Sequence, residues 1–314
     1  MMQDSETLMK PTLSILTIGV AAGVVAAILS VGSAVQNALS FILFLLSPLP
    51  ILLAGLGWGP FAAALSVIAC GISIALVAGQ IPALVIVATT AIPAAIAAYF
   101  SGMARIDRDK SEWYPLGSIL LFVALAVAAG FVISGVAIGY DATFVEEFSR
   151  EFVKQLASTN AELATNPAAI KQFVNFLMAS IPFLQPATWL VIVMGNIWLA
   201  LAVARRSALL NRPKDSWPDA LQLPIAALPM LALAILGAAF SASLGTAIAA
   251  FAGALAMAFT LTGFAFVHAK TRGKPWRPAA LWVSYVAALT FGAAPLFLCV
   301  GLYRSFKNSA SSGS

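Results

Sequence analysis

The sequence predicts an all-α fold, a polytopic bundle of about eight or nine transmembrane helices, and three observations predict it. Apolar residues fill 61% of the 314 positions and charged residues only 9%, whereas soluble domains carry roughly 25% charged residues. The apolar positions come in runs of about 20, the length at which a helix spans a bilayer's hydrocarbon core. The Lys and Arg residues gather in short connectors between those runs, the pattern that orients helices in a membrane. The formal net charge of +5 therefore calls for no nucleic-acid partner. One transmembrane domain over residues 12–302 accounts for the chain, between a tail at 1–11 and a polar tail at 303–314 that reads as disordered.

In order, the apolar blocks cover residues 12–32, 37–57, 59–79, 82–102, 115–138, 186–204, 222–241, 246–268 and 279–302. Proline opens several and glycine closes several, as at many helix starts and ends. The first is preceded by MMQDSETLMK, which lacks the basic start of a secretory signal and is expected to be retained. Within it Gly19 with Gly23 and Ala22 with Ala26 hold the small-residue spacing that lets helices approach closely, as do Gly55 and Gly59 later.

The second block contains the stretch around which the fold is organised, SPLPILLAGLGWGP at 47–60. Pro48 and Pro50 each remove a backbone donor, while Gly55, Gly57 and Gly59 offer no side chain, so a uniform lipid-facing helix is excluded. Irregular backbone at membrane depth persists only where protein or a polar cavity covers it. This stretch is read as an inner wall, with Gln36, Asn37, Ser47, Pro48, Pro50 and Trp58 as candidate ligand-binding residues.

Basic clusters follow the fourth block (Arg105, Arg108, Lys110), the sixth (Arg205, Arg206, Arg212, Lys214) and the eighth (Lys270, Arg272, Lys274, Arg277), placing all three connectors on the cytoplasmic side. Alternation then puts the N-terminus inside and the C-terminal tail outside, where Arg304 and Lys307 sit awkwardly. Either the tail tolerates them, or one block, with the proline-rich second as first choice, does not cross fully. An even count of eight would then leave the N-terminus outside. Trp113, Trp217 and Trp276 flank basic connectors, as interfacial anchors do.

The outer segment 139–185 holds Asp141, Glu146, Glu147, Glu151 and Glu162, with Phe144, Phe148, Phe152 and Leu156 recurring every four residues along one face of a short helix. Asn166 as N-cap and Pro167 at the first helical position mark a second helix running through Phe173 and Leu177. The pair reads as a lid or as an amphipathic connector on the membrane surface.

No block carries Asp, Glu, Lys or Arg in its interior, which argues against a proton-driven antiporter or a voltage sensor. His268 is the sole histidine, so a His-rich metal site is excluded; Cys70 and Cys299 read as small core residues. No phosphate-binding loop, metalloprotease helix or nucleophile elbow appears, and no enzyme, metal or cofactor is expected. Neutral polar groups remain at membrane depth: Ser40, Gln80, Thr89, Thr90, Gln185 and Asn196 join the wall residues. They suit hydrogen bonds either to a small ligand or between helices.

On SPLPILLAGLGWGPFAAALS at 47–66, GFAFVHAKTRGKP at 263–275, Tyr285 and GLYRSF at 301–306, the chain resembles the YybS-like family of bacterial membrane proteins of unknown function (domain of unknown function 2232). That family is in turn distantly similar to the substrate-binding S components of energy-coupling-factor vitamin transporters. The likeness implies that the proline- and glycine-marked region walls a ligand pocket. It also implies that the Ala22/Ala26 face docks a partner membrane subunit. Nine blocks exceed the six helices of an S component, and no vitamin-specific motif is present. The resulting expectation is a multi-pass protein of a bacterial inner membrane, in contact with lipid, that binds a small neutral or amphipathic ligand and works with a membrane partner or an energising ATPase subunit. The alternative is a non-catalytic scaffold that recruits partners through Arg205, Arg206, Arg212 and Lys214.

Overall fold

The computed structural model describes residues 4–32, 37–107, 110–159, 167–240, 245–290 and 292–312. The elements are α1 (Asp4–Val31), α2 (Ala38–Leu45), α3 (Leu49–Trp58), α4 (Pro60–Ala78), α5 (Gln80–Ile86), a π-helical turn (Val87–Ala91) and α6 (Ile92–Gly102). A hairpin of β1 (Ala104–Asp107) and β2 (Lys110–Trp113) follows, then α7 (Leu116–Ile138), α8 (Ala142–Thr159), α9 (Pro167–Arg206), α10 (Trp217–Ala220), α11 (Ala227–Phe240), α12 (Gly245–Lys270), α13 (Arg277–Thr290) and α14 (Ala294–Ser312).

Among the described residues seven segments are long and apolar enough to cross a membrane: Leu13–Val31, Ala38–Trp58, Pro60–Ala78, Gln80–Gly102, Leu116–Ile138, Ile170–Arg206 and Gly245–Lys270. The chain is an all-α, multi-pass membrane protein. Its outer surface carries large apolar side chains such as Leu76 at 82% exposure, a surface that lipid covers and water does not. The core lies where α3, α7, α9 and α12 meet; Leu52, Ile119, Leu120, Leu190, Ile197, Leu201 and Phe259 are fully buried there.

The N-terminal half is assembled by close approach. A methyl at Gly23 would collide with the Ser66 carbonyl and the Ala69 side chain, so the Gly19/Gly23 face is the surface on which α1 lies against α4. Between α3 and α4 the chain reverses at Gly59, whose φ of +89° suits only glycine, and Pro60 starts the next helix.

Several expectations from the sequence are corrected. The outer helix that starts at Pro167 does not stop before the sixth block: α9 runs unbroken for 40 residues through Pro182 and Pro186. At 1.5 Å per residue that is about 60 Å, roughly twice the hydrocarbon thickness, so its first turns stand clear of the membrane and α8 packs against them. The Tyr140 hydroxyl, donating to the Met178 carbonyl, ties the two together. Along α8, Phe144, Phe148 and Phe152 stack at 6.4 and 6.0 Å between centroids; Asn166 and the Leu156 side chain lie outside the described residues.

Block seven condenses to the 14-residue α11, too short to span alone. The Gln222 carbonyl abuts Gly117 at the start of α7, while Gly237 and Ala238 of α11 lie against Ile248 and Gly245 at the start of α12. The chain therefore passes from one end of the bundle to the other as the non-helical segment 221–226 followed by α11. Leu221 and Leu223 are buried, which is the condition for non-helical backbone at that depth.

Block nine does not cross. α13 and α14 meet at a 119° bend, and Gly292 has a φ of +63°. Tyr285 of α13 and Phe297 of α14 both stack on Phe264, at 5.1 and 4.1 Å. Arg304 donates to the carbonyls of Thr262, Pro218 and Asp219. The pair enters and leaves at the same, basic end of the bundle, where α12 terminates at Lys270. The segment from 303, read as a disordered tail outside the cytoplasm, is helical to Ser312 and returns to that basic end, with Arg304 and Ser305 buried. Likewise the tail at 1–11 is helical from Asp4.

Candidate functional site

The second span is broken, as its prolines require. α2 ends at Leu45; the Leu46 amide donates to the Leu43 carbonyl and the Ser47 amide to the Phe44 carbonyl, at 3.1 and 3.0 Å. Pro48 has no N–H, and α3 starts at Leu49. The carbonyl of Leu45, at the break, receives the Asn196 side-chain amide of α9 at 2.8 Å, and the same nitrogen donates to the Ile192 carbonyl at 2.9 Å. A second irregularity, the π-helical turn, is met by α9 in the same way: the Trp189 indole donates to the Thr89 carbonyl at 2.9 Å. The Trp189 ring lies 5.2 Å from that of Phe44. Thus α9 supplies hydrogen-bond donors to both places where the N-terminal helices depart from α geometry.

α3 is sheltered as expected of an inner wall, with Ile51, Leu52, Ala54 and Leu56 buried. Its remaining face, together with Leu46, forms an open groove of about 480 Å³ against α1. Leu46, Leu49, Pro50, Leu53 and Trp58 line one side, and Ile18, Ala22, Val25 and Leu29 the other. Among the described residues the lining is wholly apolar.

The structure divides the candidate residues. Pro50 and Trp58 line the groove, and so does Ala22, to which the family resemblance gives a partner-docking role. Ala26, its companion in that face, is 1% exposed and packed inside, so no docking surface contains both. Pro48 is buried at the start of α3. Ser47 is fully buried at the break; its hydroxyl and the Asn196 amide oxygen have no hydrogen-bond partner among the described residues. Asn37 caps α2 by accepting from the Ser40 amide at 2.8 Å, away from the groove. Gln36 lies outside the described residues.

Others of the neutral polar groups serve the backbone or face outward, and the buried Thr90 hydroxyl pairs with that of Thr89 at 3.3 Å. Thr89 donates to the Val85 carbonyl at 2.7 Å, and Gln80 and Gln185 are exposed. His268 shares a 2.7 Å hydrogen bond with the Tyr285 hydroxyl. Among the described residues no three His, Cys, Asp or Glu side chains converge on a common point.

Of the basic connector after α9, Arg212 is structural. It is 2% exposed, forks onto Asp215 at 2.8 and 3.0 Å, and donates to the carbonyls of Ser101 and Tyr114. It fastens the end of α6 to the start of α7, and offers a partner no free charge. Two features escape the sequence reading: α1 as the facing wall of the groove, and Trp189 as a backbone donor. A tryptophan inside an apolar block, away from any basic connector, is the signal for the second, because a buried indole N–H needs an acceptor.

No family model, curated protein or solved structure matches the chain. The family resemblance therefore rests on the short stretches that suggest it.

Proposed function

We propose that this protein, in a bacterial inner membrane, receives a small amphipathic or neutral molecule in the groove between α1 and the broken second span, and that it does so as the binding component of a transport system in the manner of an S component. The observation that carries the reading is the groove itself: about 480 Å³ of apolar space beside a proline break whose freed carbonyl is answered by Asn196 from the opposite side. The polar consequences of the break are turned away from the groove, so its walls select an apolar body by shape and exclude a charged one by desolvation. The absence of ionisable side chains from block interiors makes coupling to an ion gradient within this chain unfavourable and points to a separate energising subunit.

The test is native mass spectrometry of the full chain purified in mild detergent, with and without Val25→Trp. Val25 lines the groove and is 46% exposed, so the indole occupies groove space without displacing core. The expected result is a bound small molecule in the wild type, lost in the variant, with an ATPase or membrane partner retained in both. A wild type that carries neither, or a variant that binds the same molecule undiminished, overturns the proposal.

A further inference from the structure

A second recess, of about 370 Å³, opens at the basic end between the last turn of α12 and the stretch of α14 from Tyr303 to Lys307. Lys270, Arg304 and Lys307 line it with Phe266, Ala269 and Tyr303, and among the described residues no carboxylate is in its walls. The Lys270 ammonium lies 5.5 Å from the Phe266 ring centre, and the Arg304 guanidinium lies 6.0 Å from the same ring. Arg304 is 8% exposed, and the groups it donates to are neutral: the carbonyls of Thr262, Pro218 and Asp219 at 3.4, 2.9 and 3.2 Å. These bonds fix the guanidinium without cancelling its charge. The Asp219 carboxylate acts on Arg304 through space, but it is held by Arg272 at 2.9 Å and by the Ser216 hydroxyl.

Three cations around one recess repel one another unless an anion lies between them. The location decides which anion. α12 is a membrane-crossing helix that ends here, and Tyr303 and Phe306 stand exposed beside the recess at 60% and 68%, an aromatic flank suited to the boundary between headgroups and acyl chains. Basic pockets between helices at this level suit phosphate headgroups. We propose that the recess binds the phosphodiester of an anionic phospholipid, with Arg304 as its fixed floor and Lys270 and Lys307 closing over the phosphate from α12 and α14. The lipid would hold the re-entrant α13–α14 pair against α12. This site is separate from the apolar groove, so its test stands whether or not the groove binds a ligand.

The experiment measures binding of dioleoyl-phosphatidylglycerol, dioleoyl-phosphatidylcholine and inorganic phosphate to the full chain in neutral detergent, by native mass spectrometry and thermal shift. One phosphatidylglycerol is expected to bind in preference to phosphatidylcholine, with an affinity that falls as ionic strength rises. K270Q/K307Q is expected to weaken it about 25-fold, each lysine contributing about fivefold, while V25W leaves it unchanged. Equal binding of the two lipids, or undiminished phosphatidylglycerol binding in a K270Q/K307Q protein that melts as the wild type does, overturns the site. Inorganic phosphate that binds and is not displaced by phosphatidylglycerol overturns the lipid assignment. If K270Q/K307Q fails to fold, K270R/K307R and the ionic-strength series on the wild type decide: charge-retaining binding supports the site, and salt-insensitive binding overturns it.

Discussion

Asn196→Leu tests whether α9 sustains the break in the second span. The substitution keeps a buried side chain of similar size and removes the amide that donates to the Leu45 carbonyl at 2.8 Å. In a continuous helix that carbonyl would receive the Leu49 amide, but Leu49 donates to Leu46 instead. The variant therefore leaves the Leu45 carbonyl without a donor in a buried place, at a cost of about 1–3 kcal/mol; hydrogen bonds between membrane helices average about 0.6 kcal/mol, with a maximum near 1.7. Part is offset because the Asn196 amide oxygen, buried without a partner among the described residues, disappears as well. The net expectation is a destabilisation of about 1–2 kcal/mol, or roughly 2–6 °C in an apparent Tm followed by tryptophan fluorescence in detergent. Trp189→Phe removes the indole donor to Thr89 while retaining a ring to face Phe44 at 5.2 Å, with an expected loss of about 0.5–1.5 kcal/mol. Seven residues along a helix separate the two sites by about 10 Å, so the double variant should lose the sum to within about 0.5 kcal/mol. An Asn196→Leu protein that melts at or above the wild-type temperature refutes the argument, because the broken helix would then be self-sufficient.

Arg212→Ser should destabilise by about 3–5 kcal/mol, toward the lower figure because Asp215 retains 16% side-chain exposure; Arg206→Ser, at an exposed position in the same connector, should change the melting temperature by no more than about 1 °C. Gly23→Leu should detach α1 from α4, visible as new protease cleavage near α1 in detergent, since the side chain has no room against Ser66 and Ala69; unchanged cleavage would count against the packing. Asp219 is held below the usual carboxylate range, first by the Ser216 hydrogen bond and then by Arg272. A lowered folded-state pKa means its stabilisation is present above the ordinary value near 3.9 and is lost as acid passes through the lowered one. Melts of wild type and Asp219→Asn should therefore differ at neutral pH and converge only as the pH falls from the ordinary carboxylate value through the lowered one; a difference that persists in strong acid would contradict this.

Much of the architecture was legible because lipid leaves few options. Runs of about 20 apolar residues with basic connectors read as crossing helices in any context, and the break at Pro48 follows from a missing N–H that no neighbour can restore. The groove was only half legible. Pro50 and Trp58 announce an irregular wall, but the wall that faces them depends on which side of α1 meets α4. Gly19 and Gly23 settle that contact, and only then do Ile18, Ala22 and Val25 turn toward α3. The polar residues misled for a related reason: at membrane depth a carbonyl freed by a break exerts the same demand for a donor as a ligand would. Asn196 answers the backbone.

The crossing number shows where hydropathy stops being informative and charge continues. Residues 222–241 and 279–302 are comparably apolar, yet one passes through the bundle as a short irregular segment plus 14 residues of helix, and the other turns back at Gly292. Composition cannot separate them, because a re-entrant pair and a crossing helix both bury apolar side chains. Arg304 and Lys307 can: placed opposite the other basic clusters they would contradict the charge asymmetry that orients the remaining helices, and returning them to the basic end requires an even number of crossings. The seven long helices and α11 supply that number with both chain ends at the basic side. Crossing by the second block is kept, and it is the ninth that yields. The charge of the last helix thus carries topological information that its hydrophobicity hides, and the same charges, once returned to the basic end beside Lys270, create the recess that calls for an anion.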